Sequence, residues 1–77
     1  MAVAANIRLQ RKKAGLTQID LADKLGVSIA TLRRWEAGET SPTGTRIVEL
    51  ANLLHISPDE IVSDDDNSEK NKAKTLL

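Results

Sequence analysis

A chain of 77 residues has room for one small domain, and with no cysteine it excludes disulfide staples, thiol catalysis and cysteine-ligated zinc. One Trp with no Tyr or Phe argues against single-strand binding by base stacking, and no apolar run is long enough to span a membrane. The formal charge is zero, yet Arg8, Arg11, Lys12 and Lys13 share one stretch free of acidic residues, and such local clustering matters most to a polyanion.

The elements are predicted to be all helical, since the core must be built from Leu, Ile, Val and Ala. Ala2 to Ala14 reads as a first helix, with Val3, Ile7 and Ala14 on one stripe and Gly15 closing it. Thr17 opens a second helix. Asp20 stands three residues on, giving a capping box, and the helix buries Leu21, Ala22 and Leu25 before Gly26. A third runs from Ser28 to about Ala37 and stops at Gly38. Glu39 to Gly44 is a loop by composition. A fourth helix, Thr45 to Leu54, buries Ile47, Leu50, Ala51 and Leu54, with His55 read as its C-terminal cap. In the last helix Ser57 is the N-cap, Pro58 the first helical residue and Glu60 the closing acid, and the helix reaches Val62. Residues 1–62 are thus one domain. Residues 63–77 lack apolar periodicity and read as a charged, disordered tail. Asp64, Asp65 and Asp66 lack the spacing of a calcium loop. The start, Met1 to Asn6, has no basic residue before its short apolar stretch and does not read as a secretory signal.

The informative unit runs from Gln18 to Glu36. Two helices joined by so short a turn must cross steeply. That geometry needs a small residue at the crossing (Ala22), a residue tolerant of positive φ in the turn (Gly26) and apolar inner faces. Leu21, Leu25, Val27, Leu32 and Trp35 supply those faces, and no proline interrupts either helix. With Leu32 and Trp35 inward, Glu36 lies beside the buried side and needs a cation. Ala30, Arg33, Arg34 and Ala37 point away, and Ile29 and Thr31 flank them. An outer face of small, apolar and arginine residues suits a helix end in the DNA major groove, where methyls meet thymine and arginine meets guanine.

These residues resemble the Cro and phage-repressor type of helix-turn-helix, the XRE family. The strings that carry the likeness are Gly15-Leu16-Thr17-Gln18, Leu21-Ala22, Leu25-Gly26-Val27-Ser28, Trp35-Glu36-x-Gly38 with Pro42, Leu50-Ala51, and Ile56-Ser57 with Asp59-Glu60. With Ile7 and Arg11 they span about residues 6–62. The resemblance implies a compact five-helix, lambda-repressor-like domain that binds operator DNA as a dimer. It implies base contacts from Ile29, Ala30 and Arg34, with Arg33 nearby, and phosphate contacts from Gln18 and Ser28. It also implies an inward ion pair of Arg11 with Glu36. Arg33 is added to the base contacts, and Thr31 and Arg8 to the phosphate contacts; of the Arg8–Lys13 cluster Arg11 is read as structural and at most one of the others as touching phosphate. The chain departs from the pattern at Gln10, at Gly44 and at His55. Ile29 and Ala30 lack the amides that make bidentate adenine contacts, so a target sequence does not carry over.

The expected function is a sequence-specific, double-stranded DNA-binding transcriptional regulator, cytoplasmic and of bacterial or phage origin. Its self-association face is expected on helices four and five, from Ile56, Ile61 and Val62. The alternative is a protein-binding module, an antitoxin or adaptor, with a partner reached through the tail. No catalytic set, cofactor site or metal site is expected: the lone His55 makes a poor ligand set, and no Gly-rich phosphate loop is present.

Overall fold

Hydroxyl side chains set three of the helix starts. The computed structural model describes residues 2–63, in which the helices are α1 (Val3–Lys13), α2 (Gln18–Leu25), α3 (Ile29–Ala37), α4 (Gly44–Leu54) and α5 (Asp59–Val62). Thr17, Ser28 and Thr43 adopt extended backbone, and each hydroxyl accepts the N–H three residues on, as N-caps do. At Thr17 the box is reciprocal, because the Asp20 carboxylate also accepts the Thr17 N–H at 3.0 Å. Those bonds to Thr17 hold the Asp20 carboxyl below its ordinary pKa.

Helix ends differ from the sequence reading in α1, α4 and α5; α4 begins at Gly44, assigned above to the loop, because the Thr43 hydroxyl caps it one residue early. α1 is one residue shorter at each end, and Ala14, placed on the buried stripe, is exposed beyond the last turn. Its inward face holds Asn6, Ile7 and Arg11 instead. At α5 the Ser57 hydroxyl makes no cap, and Pro58 precedes the helix rather than opening it. Only the acid's half of that box forms, with Glu60 Oε2 accepting the Ser57 N–H at 3.1 Å. The reading of residues 63–77 as a tail lies, from residue 64 on, outside the described residues, as do the Asp64–Asp66 assignment and any partner reached through the tail.

One aliphatic side chain from each helix is fully shielded: Ile7, Leu21, Leu32, Leu50 and Ile61 are each 0% exposed. Trp35, Leu25 and Leu54 complete the core, and Ala22 and Ala51 permit close helix approach. α1 packs on α3 and α5, α2 on α3 and α4, and α4 on α5. Ile61, assigned above to a self-association surface, is therefore core.

Two polar residues act as long-range ties. Asn6 is 1% exposed, and its Nδ2 donates to the carbonyls of Ile61 (2.8 Å) and Ser63 (2.7 Å). The amide fastens the end of the four-residue α5 to α1, which so short a helix needs because it makes few bonds of its own. Arg46 Nη1 reaches the Leu25 carbonyl at the end of α2 (3.3 Å) and Glu49 (2.7 Å).

The α2–α3 turn is three residues long. Gly26 takes φ 74°, and the Val27 N–H returns to the Ala22 carbonyl at 3.0 Å. His55 ends α4 in the same left-handed conformation, φ 58°, with its N–H on Ala51 and Asn52. A Cβ is strained there, and the ring is exposed. His55→Gly should therefore raise stability by about 0.5–1 kcal/mol. A thermal melt with an unchanged or lower midpoint would show that the ring makes compensating contacts.

Candidate nucleic-acid interface

Burial of Leu32 and Trp35 fixes how α3 rolls on the scaffold. Ala30, Arg33, Arg34 and Ala37 are exposed, while Ile29 and Thr31 are half-buried at the edges. The first turn stands free. Ser28 Oγ accepts the Thr31 N–H at 3.1 Å and lies 2.9 Å from the Thr31 hydroxyl, so the two hydroxyls share one edge of the helix start. α3 packs on α1 and α2 through its inner side, so its outer side has no covering element among the described residues.

Glu36 sits at the junction of α1, α2 and α3. Its carboxylate accepts Arg11 Nε at 2.7 Å and Nη2 at 3.1 Å, a two-point pair whose side chains are 10% and 5% exposed. Arg11 Nη1 also donates to the Leu16 carbonyl at 2.8 Å, which ties the α1–α2 turn into the same cluster. Gln18 Nε2 donates to Glu36 Oε1 at 3.1 Å, and Gln18 Oε1 accepts Arg33 Nε at 3.4 Å. The amide of Gln18 is thus oriented from both sides.

The structure separates the expected contact residues into two groups. Arg8, Gln18 and Arg33 line an open groove of about 440 Å³ between α1 and α3, together with Lys12 and the Arg11–Glu36 pair. Ser28, Ile29, Ala30, Thr31 and Arg34 do not line that groove; they occupy the start and outer face of α3. The sequence reading missed Lys12 as a groove residue and missed Gln18 as the partner of Glu36. The Arg8–Lys12 spacing of four, one helical turn, is the only sequence signal that points to a shared face. Among the described residues no group of three or more histidines and carboxylates is placed to hold a metal, and no helix is long and apolar enough to cross a membrane.

A short two-helix turn, a free second helix and a basic rim define a helix-turn-helix domain. A family model described as helix-turn-helix matches residues 7–61. The cryptic phage CTXphi transcriptional repressor RstR of Vibrio cholerae is 36% identical over 61 residues, covering 79% of this chain and 54% of RstR. The P22 c2 repressor, solved in complex with a synthetic operator, superposes with a TM-score of 0.73 at 34% identity, covering 79% of this chain and 92% of that one. A type II methyltransferase of Shigella sonnei, M.SsoII, is 46% identical over 59 residues, which are 73% of this chain but 16% of the enzyme. The chain spans about half of RstR and a small part of the methyltransferase. This protein belongs to the helix-turn-helix family of the Cro and phage-repressor type.

Proposed function

We propose that the chain is a sequence-specific, double-stranded DNA-binding transcriptional regulator, with α3 entering the major groove. The observation that carries this is the outer face of α3. Ala30 and Arg34 are exposed on a helix whose orientation is fixed by the buried Leu32 and Trp35. A methyl-bearing first turn and one long guanidinium fit thymine methyls and guanine O6/N7. Ile29 and Ala30 supply the apolar contacts, while Ser28 and Thr31 face the sugar-phosphate edge at the N-terminus of α3. The relatives that are repressors, one of them held on operator DNA, favour this reading over an adaptor or antitoxin. The methyltransferase likeness covers 16% of that enzyme, and this reading assigns the chain no catalysis.

One domain of this kind buries roughly 600–1,000 Å² on DNA, too little for tight selectivity, so the reading includes a homodimer on half-sites about 34 Å apart. Val48 (48% exposed) and Val62 (46% exposed) with half-buried Ile56 are the apolar side chains that α4, α5 and the turn between them offer to such a dimer. The reading includes a cytoplasmic location in a bacterial host, which the bacterial and phage relatives support.

Selection from a random duplex library tests this directly: a two-fold-symmetric site is expected, and failure to enrich any sequence would overturn the reading. On the selected site, Arg34→Ala should lose about 1–3 kcal/mol and relax preference at one base pair. Equal loss on random duplex would remove Arg34 from base readout.

A further inference from the structure

Arg33 and Arg34 are neighbours in sequence, but the helix sends them to different places. At about 100° per residue, Arg33 lies roughly 60° around α3 from Glu36, toward α1 and α2, whereas Arg34 lies roughly 160° away, on the outer face. The hydrogen bonds agree with this. Arg33 Nε is held by Gln18 Oε1 at 3.4 Å, and Gln18 is in turn held by Glu36 at 3.1 Å. Arg33 lines the open groove with Arg8 and Lys12; Arg34 does not. The groove carries four cations, Arg8, Arg11, Lys12 and Arg33, against the single carboxylate of Glu36. That carboxylate is already paired with Arg11. Among the described residues the ion pairs are Arg11–Glu36 and Arg46–Glu49, so Arg8, Lys12 and Arg33 keep their charge unneutralised by any carboxylate. Three like charges around one concavity repel one another in the free protein, and an anion between them removes that repulsion.

We propose that Arg33 is a backbone residue and not a base reader: with Arg8 and Lys12 it forms a cradle for a DNA phosphate on the flank of α3, and Arg34 is left as the one arginine that reads bases. This rests on the DNA-binding function proposed above and revises the contact residues expected from the sequence in two respects. Arg33 leaves the base-contacting set, and Lys12 joins Arg8 as a phosphate ligand. Gln18 is the positioning residue. Its carbonyl oxygen turns the Arg33 guanidinium into the cradle, and its amide orientation is set by Glu36. One hydrogen of Gln18 Nε2 goes to Glu36, and the second is available to the same phosphate.

The test compares binding of the wild type, Arg33→Ala, Arg33→Lys, Arg8→Ala/Lys12→Ala and Arg34→Ala to a library-selected duplex and to a random duplex across a salt series. All four positions that change are exposed or outside the core, and a thermal melt of each variant checks that it folds. Arg33→Ala should weaken both duplexes by the same factor and flatten the slope of log K on log salt by about 1. The Arg8/Lys12 double variant should flatten it by about 2. Arg33→Lys should recover most of the lost slope, because a phosphate accepts a point charge where guanine needs the guanidinium fork. A changed base preference in Arg33→Ala, or a specificity loss that lysine does not restore, would overturn the cradle while leaving the DNA-binding function in place. A wild type with no salt-dependent affinity for any duplex would overturn both.

Discussion

Trp35→Ala is expected to cost about 3–5 kcal/mol, enough to leave much of the population unfolded. Trp35 is 6% exposed and packs in one cluster with Ile7, Leu21, Leu32 and Leu50. It is also the only aromatic side chain in the sequence. Truncation to Ala removes the transfer energy of the ring and leaves a cavity among packed neighbours, and the two costs add. A domain of this size has roughly 0.05–0.15 kcal/mol of stability per residue. The expected loss is therefore comparable with the whole. Denaturant unfolding followed by far-UV circular dichroism checks it. Trp35→Phe should unfold cooperatively with a loss of about 1–2 kcal/mol, because most of the ring volume remains. A midpoint for Trp35→Ala within error of wild type would contradict its place in the core.

The second large effect concerns charge. Arg11→Met should destabilise by about 3–5 kcal/mol, since it leaves the Glu36 carboxylate shielded from water with Gln18 as its remaining partner. The same change frees the Leu16 carbonyl that Arg11 Nη1 now satisfies. Arg11→Met with Glu36→Leu removes the stranded charge as well as its partner, and should recover most of the loss. The pair is thus expected to do more for geometry than for net stability: it fixes α1 against α3 and orients Gln18 in the groove that the pair itself lines. If the single and double variants unfold at the same denaturant concentration, the penalty of an unpaired Glu36 is absent and the pair is not the link between these helices.

Local chemistry was legible in the sequence. A hydroxyl with an acid three residues on favours a helix start, and Thr17 with Asp20 forms the expected box, whereas at Ser57 only the Glu60 half forms. Gly26 was readable because a three-residue turn demands positive φ there. The inward set Leu21, Leu25, Leu32 and Trp35 followed from 3.6-residue periodicity, and Glu36 beside it called for a cation that proved to be Arg11. These features depend on residues a few positions apart, or on a repeat that any helix must obey.

The errors lie where a second element decides. Ile61 looked like surface because a four-residue helix has no periodicity to show its inner face, and only packing on α1 and α4 buries it. Asn6 drew no structural reading from the sequence, because its partners are 55 and 57 residues away. Helical spacing turns Arg33 and Arg34 about 100° apart, but it does not say which element each one meets. What separates them is the neighbour each one faces. The chain by itself determined which helices form and which side of each turns inward, because backbone hydrogen bonding and apolar burial act over one or two turns. The tertiary structure alone decided which polar side chains meet across helices, because those meetings depend on how rigid cylinders from distant parts of the chain are rotated against one another.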